Sequence, residues 1–430
     1  MFLILFSGKL DKWIIDYFQN PLFKNSYYIL FNSILTASLG FIFWIIVSRL
    51  YSTVNIGYSV ALISLIGIVT QIARFGVDVS IIRFFNYVND ATKLINTCFS
   101  FIGLSTLIIG IIFLFFIKIF IIKLDVVIDS YVYILGFLFF SLGSGLLLIQ
   151  TNIFIASRNS KYLLYQSIIA SGMSILLAII FSLFLMPIGV FYSWGLSMFF
   201  AFLVCLIIFL KKIIPDYKPL FRIQWGLMKE IFPYSFGNYF VNLISALPPL
   251  LFPLIIVAYL MPEDSAYFYI SFSIANIMFM IPGAISTSLF AEGSHNEKSF
   301  GINIKNAIKN TYFLLIPTII LVILFGNQIL LLFGKNYSVN GHVLLSLLAI
   351  SSLFLSLNSF YYTYLRIQFK IKELLSLTIF SSISILIISL ILLYFFSIGI
   401  SSVGLAYIIV NLIIAMYVVI SWKKYIFLIK

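Results

Sequence analysis

Hydrophobic residues run along most of this chain in stretches of about 20, set apart by short polar segments. Runs of that length suit helices that cross a bilayer, and they lack the ten-residue alternation of barrel strands. In lipid each backbone group must be satisfied within its own segment, which again selects helices. The pattern predicts spans at about 27–49, 55–75, 95–117, 131–155, 164–185 and 189–210, then at about 230–260, 265–290, 305–325, 342–365, 373–396 and 399–421. Ahead of the first span, Leu10, Trp13, Ile14, Tyr17 and Phe18 recur at helical spacing, with Lys9, Asp11, Lys12 and Asp16 largely off that stripe. Residues 1–24 are therefore expected to form an interfacial amphipathic segment.

The basic residues test the count. Twelve spans place the inter-span segments on alternating sides, and of 26 Lys and Arg residues only Arg49, Lys118, Lys123 and Lys335 fall on one of them. The crowded side is cytoplasmic by the positive-inside rule, so both termini are expected there. The formal net charge of +13 is thereby accounted for by topology, and no nucleic-acid partner is expected. A composition of 63% hydrophobic and 9% charged residues, with a mean hydropathy of +1.16, excludes an ordinary soluble domain. The fold class is all-α, a polytopic membrane protein. Cys98 and Cys205 lie within apolar runs, and His295 and His342 have no ligand spacing. No metal, cofactor or catalytic nucleophile is expected, and the chain reads as a non-enzyme.

The chain also repeats itself. Arg158 and Lys161, a span, a turn bearing Gly189 and Gly195, another span and Lys211-Lys212 are followed about 210 residues later by Arg366 and Lys370, a span, Gly399 and Gly404, a span and Lys423-Lys424. Asn55-Ile56-Gly57-Tyr58 opens span 2 much as Asp264-Ser265-Ala266-Tyr267 opens span 8. An even number of spans per half gives two parallel six-helix repeats, a doubling that in transporters encloses a central cleft. The expected boundaries are 25–212 for the first bundle, 213–229 for a basic linker carrying Pro215 and Pro219, and 230–430 for the second bundle.

Charge within a span costs roughly 2.5–3.5 kcal/mol at mid-depth, so each such group needs a partner or a cavity. Arg49 ends span 1, where snorkelling to the interface also explains it. Arg74 and Asp78 are four apart and share one face of a helix, either turned to a cleft or anchored among headgroups. Arg83, nine residues after Arg74, falls about 180° around a continuous helix. Arg158 and Arg366 take equivalent places in the two halves, where topology also accounts for them. Guanidinium groups are suited to phosphate through their bidentate fork. In span 7, Asn238 and Asn242 precede Pro248, Pro249 and Pro253; each proline removes a donor and crowds the preceding turn, which predicts a bent or broken helix and a hinge. Asn276 sits near the middle of span 8 and Glu292 at its end. A buried Asn more often bonds a neighbouring helix than a substrate.

Several stretches carry a resemblance. Arg49-Leu50-Tyr51-Ser52 with Gly57, FGVDVSIIRFF at 75–85, IPGAISTSLFAEGS at 281–294, ILLLFGKNYS at 329–338 and YYTYLRIQFK at 361–370 occur in the order and at the spans of the polysaccharide transporter family, which the chain resembles over nearly its whole length. That family contains the Wzx-type lipid-linked oligosaccharide flippases. The resemblance implies two bundles around a cleft lined by spans 1, 2, 7 and 8, alternating access, and cationic groups that receive the (pyro)phosphate of a polyprenyl-linked sugar. Carried over by position, the contacting residues are Arg49, Arg74, Asp78, Arg83 and Glu292. Expected partners are the lipid-linked oligosaccharide, membrane lipids and polysaccharide-assembly proteins, with a single chain as the working unit. A cation-coupled drug or metabolite exporter of the same superfamily would share the fold and would need an acidic residue deep in a bundle, for which Asp78 is the candidate. A polysaccharide polymerase or ligase would need a larger external loop than this chain offers.

Overall fold

The computed structural model of the chain describes residues 21–85, 87–88, 90–120, 131–184, 186–295 and 300–421; the side chains of 21–24, 26, 116–120, 233–238, 291–295 and 300–302 lie outside that description. The amphipathic segment expected over 1–24 thus falls almost wholly outside it. The helices are α1 (Pro21–Leu50), α2 (Thr53–Ala73), the short α3 (Val77–Phe84), α4 (Ala91–Phe120), α5 (Tyr131–Ala156), α6 (Lys161–Leu183) and α7 (Gly189–Ile213, with a wider π turn over Cys205–Leu210). They continue with α8 (Trp225–Tyr259), α9 (Pro262–His295), α10 (Phe300–Leu331), α11 (Lys335–Ile367), α12 (Ile371–Phe396) and α13 (Ser401–Ser421). Twelve helices among the described residues are long and apolar enough to cross a membrane, and every predicted span has its helix.

Contacts divide the chain into two compact units: one of residues 1–43 and 69–236, the other of 44–68 and 237–430. In the first, α5 packs against α3, α4 and α7. Val77, Ile81, Ile95, Cys98, Ile149 and Ile153 form a buried core there, and Cys205 joins Phe154, Tyr162 and Leu163 in another. In the second unit α11 is the hub, touching α9, α10, α12 and α13. The segment 44–68 belongs to this unit through close contacts. Trp44 lies 4.7 Å from the Tyr269 ring, and a Cβ at Gly57 would run into the Pro262 carbonyl.

Both units carry the same helix ending. After α5, Arg158 adopts a left-handed φ of 56°, its N–H donates to Ile155 O (3.0 Å), and Asn159 N–H donates to Phe154 O (2.9 Å). After α11, Phe369 has φ 54°, its N–H donates to Arg366 O (3.2 Å), and Lys370 N–H donates to Leu365 O (2.9 Å). This Schellman pairing satisfies the same two orphan carbonyls each time. It pairs Arg158 with Phe369, so Arg366 sits one turn earlier than its expected equivalence with Arg158. Gly195 and Gly404, expected in turns, lie instead within α7 and α13. There a Cβ would strike the Phe140 ring of α5 or come within 2.7 Å of Leu347 Cβ of α11, so both glycines set how closely two helices approach.

Asp90 stands just before α4 and accepts the N–H of Lys93 (3.1 Å), an N-cap pairing. Its carboxyl is held below the ordinary carboxylate range, first by that N–H and then by the Lys93 ammonium 3.2 Å away. A depressed folded pKa gives stability that is present above the unfolded value and lost as pH falls through the folded one. Protection of the first-turn amides of α4 should therefore decline below about pH 4, and Asp90→Asn, an equally good cap, should remove that pH dependence. Hydrogen exchange followed across pH checks this.

Candidate functional site

Among the described residues two polar places bear on function, one in each unit. The first is the junction where the span predicted at about 55–75 ends and a further short helix begins. α2 ends at Ala73, Phe75 and Gly76 turn through left-handed backbone (φ 45° and 79°), and α3 begins at Val77. Glycine at 76 takes that conformation without a Cβ penalty. The orphan carbonyl of Ala73 accepts the Ser105 hydroxyl from α4 at 2.9 Å, and the Phe75 ring packs against Phe101 and Phe232 (6.0 and 6.2 Å). Arg74 Nη1 meets Asp78 Oδ2 at 3.0 Å, with both side chains largely buried. Asp78 also lies in the first turn of α3, where the helix dipole favours a carboxylate. The pairing expected of these residues is present, but it crosses the junction of two helices rather than running along one. With the junction between them, Arg83 is not set opposite Arg74 by helix periodicity; it lies exposed in the last turn of α3.

The second place is a cavity of about 430 Å3 in the second unit, among α8, α9, α11, α12 and α13. Asn276, Asn358, Asn411, Tyr362, Ser245 and a Thr378–Ser381–Ser382 face line it, beside Phe272, Phe279, Tyr407 and Pro248-Pro249. No acidic or basic side chain is among its lining residues. Asn358 Nδ2 donates to both Asn411 Oδ1 and Asn411 O (3.2 Å each), and Asn411 Nδ2 donates to Tyr407 O (2.8 Å). Asn358 is 2% exposed, and among the described residues its Oδ1 has no donor. A buried acceptor left this way costs about 1–3 kcal/mol, and the residue borders the cavity.

Of the bent or broken helix expected at Pro248, Pro249 and Pro253, the break is absent: α8 is one continuous helix from Trp225 to Tyr259. Membrane helices tolerate proline where neighbours satisfy the freed groups; the Ser265 hydroxyl of α9 donates to Pro253 O at 3.2 Å, a carbonyl that these prolines do not free. Prolines 249 and 253 remove the donors that Ser245 O and Pro249 O would otherwise receive. Both belong to cavity-lining residues.

The remaining predicted residues scatter. Arg49 closes the end of α10, donating to Leu331 O (2.7 Å) and Leu332 O (3.1 Å), the favourable place for a cation at a helix C-terminus. Arg366 is exposed in the last turn of α11, Asn242 is exposed on α8, and Asn276 reaches the cavity. The side chains of Asn238 and Glu292 lie outside the described residues. Sequence patterning does not single out Asn358 and Asn411. Their signal is a lone amide in each of two strongly apolar spans, and nothing in the sequence pairs them across 53 positions.

No family model matches the chain, and no curated protein matches it in sequence. Solved structures do match in fold. An inward-facing multidrug resistance MATE family transporter of the MOP superfamily aligns with TM-score 0.68 at 17% identity over 91% of this chain and 94% of that one. The lipid II flippase MurJ, in an inward closed conformation, aligns with TM-score 0.73 at 14% identity over 91% and 87%. The MATE multidrug transporter DinF-BH aligns with TM-score 0.67 at 16% identity over 96% and 97%. The chain therefore has the twelve-helix fold of these proteins.

Proposed function

We propose that the chain is a transporter of the MOP type that carries a lipid-linked oligosaccharide across the cytoplasmic membrane by alternating access. In this reading both termini are cytoplasmic, the chain is built of two repeats, 25–212 and 230–430, joined through 213–229, and no covalent chemistry is performed. The observation that carries it is the uncharged cavity, rich in amides and hydroxyls, within a fold shared with a lipid II flippase. Moving sugar hydroxyls and a phosphate through hydrocarbon carries a large desolvation cost, which a polar protein interior offsets while the polyprenyl tail stays in lipid. The Asn358 carbonyl accepts a sugar hydroxyl, and neighbouring hydroxyls and amides serve the rest. Arg74, whose guanidinium is already oriented by Asp78, receives the phosphate.

A cation-coupled exporter would share this fold. It would need a carboxylate deep in a bundle, which the cavity lining does not supply, while Asp78 is engaged by Arg74. The test is the sidedness of lipid-linked oligosaccharide in membranes of cells lacking the chain. Build-up on the cytoplasmic leaflet, reversed by the intact chain but not by Arg74→Ala, is expected. Unchanged intermediates together with greater sensitivity to small cationic compounds would replace this reading with the exporter.

Arg74 and Asp78 also separate gripping from scaffolding. If the pair served the fold alone, the double variant Arg74→Gln/Asp78→Asn would recover what either single change loses. We expect each single change to cost about 1–3 kcal/mol of stability, between exposed and fully buried pairs. The double variant should recover stability but not transport. A thermal-unfolding series run beside the sidedness assay checks both halves of that expectation.

A further inference from the structure

We propose that the linker following α7 forms, with α4, α5 and α7, a binding site for an anionic phospholipid: one acyl chain lies in an apolar groove and the phosphate rests on Lys218 and Arg222. The groove encloses about 390 Å3 and is lined by Phe99, Leu104, Leu107, Leu142, Leu146 and, on the linker, Pro219-Leu220-Phe221. That volume lies within the range of sites that hold small ligands, about 300–1,000 Å3. Its lining is overwhelmingly apolar, and Leu104, Leu220 and Phe221 are 42, 61 and 77% exposed. A groove of this kind on the flank of membrane helices meets hydrocarbon rather than water.

The linker is held at the groove by hydrogen bonds, not merely laid over it. Asn96 Nδ2 donates to Lys218 O (2.9 Å), and the Arg222 N–H donates to the Ser100 hydroxyl (2.9 Å), one helical turn further along α4. The Tyr217 hydroxyl donates to Asn96 Oδ1 (2.8 Å), and the Gln224 N–H donates to Thr97 Oγ1 (3.3 Å). With their backbones bonded to α4, Lys218 and Arg222 flank the apolar tripeptide and leave their side chains exposed. Among the described residues neither makes an ion pair, and Lys211 and Lys212 at the end of α7 add to the basic character. Asp216 is the one acidic neighbour in the linker, so the balance stays positive. Basic residues interleaved with exposed Leu220, Phe221 and Trp225 fit a surface at the headgroup boundary, where lysine and arginine attract anionic lipid.

The site is independent of what the protein transports. It is tested with the full-length chain reconstituted in equal phosphatidylglycerol and phosphatidylcholine, exchanged into mild detergent, and weighed with its retained lipids by native mass spectrometry. The intact chain is expected to retain phosphatidylglycerol preferentially, and Lys218→Gln/Arg222→Gln, which alters only exposed side chains, to cut that retention roughly tenfold. Gly103→Met places a side chain in the groove beside Leu142, whose Cδ1 would lie 3.4 Å from the new Cβ. This variant is expected to lower retention of both lipids. Equal retention of the two lipids by the intact chain, or retention unaffected by Gly103→Met in protein of normal helicity, would overturn the proposal.

Discussion

Gly57→Ala is expected to be among the most damaging single-methyl changes in this protein. The added Cβ would occupy the position of the Pro262 carbonyl oxygen, at the start of α9. Backbone at a helix start cannot swing aside as a side chain can, so the two helices must separate or tilt. Overpacking of a fixed contact costs typically about 1–3 kcal/mol, and this one belongs at the top of that range. Gly67→Ala, further along the same helix, is the internal control: its Cβ would meet Leu250 Cδ2 at 2.7 Å, the mobile end of a side chain that can change rotamer. Thermal unfolding of the purified variants should rank Gly57→Ala well below Gly67→Ala. Equal tolerance of both would mean that α2 and α9 are not held at this contact.

Asn358→Leu is expected to remove transport while sparing the fold. The side chain is nearly isosteric with leucine and 2% exposed, so the packing volume is kept. What is lost is one amide that donates to Asn411 and whose carbonyl oxygen has no donor of its own. Interhelical bonds of this type contribute about 0.6 kcal/mol on average within membranes, and removing an unsatisfied acceptor offsets part of that. Stability should change by no more than about 1 kcal/mol. The contact with a sugar hydroxyl disappears entirely, and a site deprived of a buried hydrogen bond loses about 1–3 kcal/mol, roughly five- to 150-fold, in its grip on the substrate. The sidedness assay would show intermediate held on the cytoplasmic leaflet by protein with a near-normal unfolding midpoint. Transport at the unmodified rate would remove the cavity from the mechanism.

Much of the architecture was legible in the sequence because hydrocarbon imposes a local rule. A span predicted at about 131–155 is the helix Tyr131–Ala156, and one predicted at about 373–396 is Ile371–Phe396. The end of α2 was legible to within two residues, at about 75 against Ala73, but the restart was not: residues 74–83 read as one continuous helix, and the left-handed Phe75 packs on Phe101 and Phe232, reached only through folding. The prolines of α8 signal lost donors, but whether a helix breaks there depends on what surrounds the freed carbonyls.

The class of protein, the twelve spans and the repeat could all be read along the chain. Each follows from a property written residue by residue: apolar length, the distribution of basic residues and the recurrence of short motifs. Which distant polar groups meet came from folding. Arg49 meets the end of α10 and Asn358 meets Asn411 beside a cavity to which neither amide alone points, whereas the Arg74–Asp78 pair was already expected from its spacing of four. The reason is physical. Crossing a membrane is a requirement each segment satisfies alone, whereas a binding site is made of side chains distant in sequence, and their meeting depends on how closely helices pack at positions such as Gly57, Gly195 and Gly404.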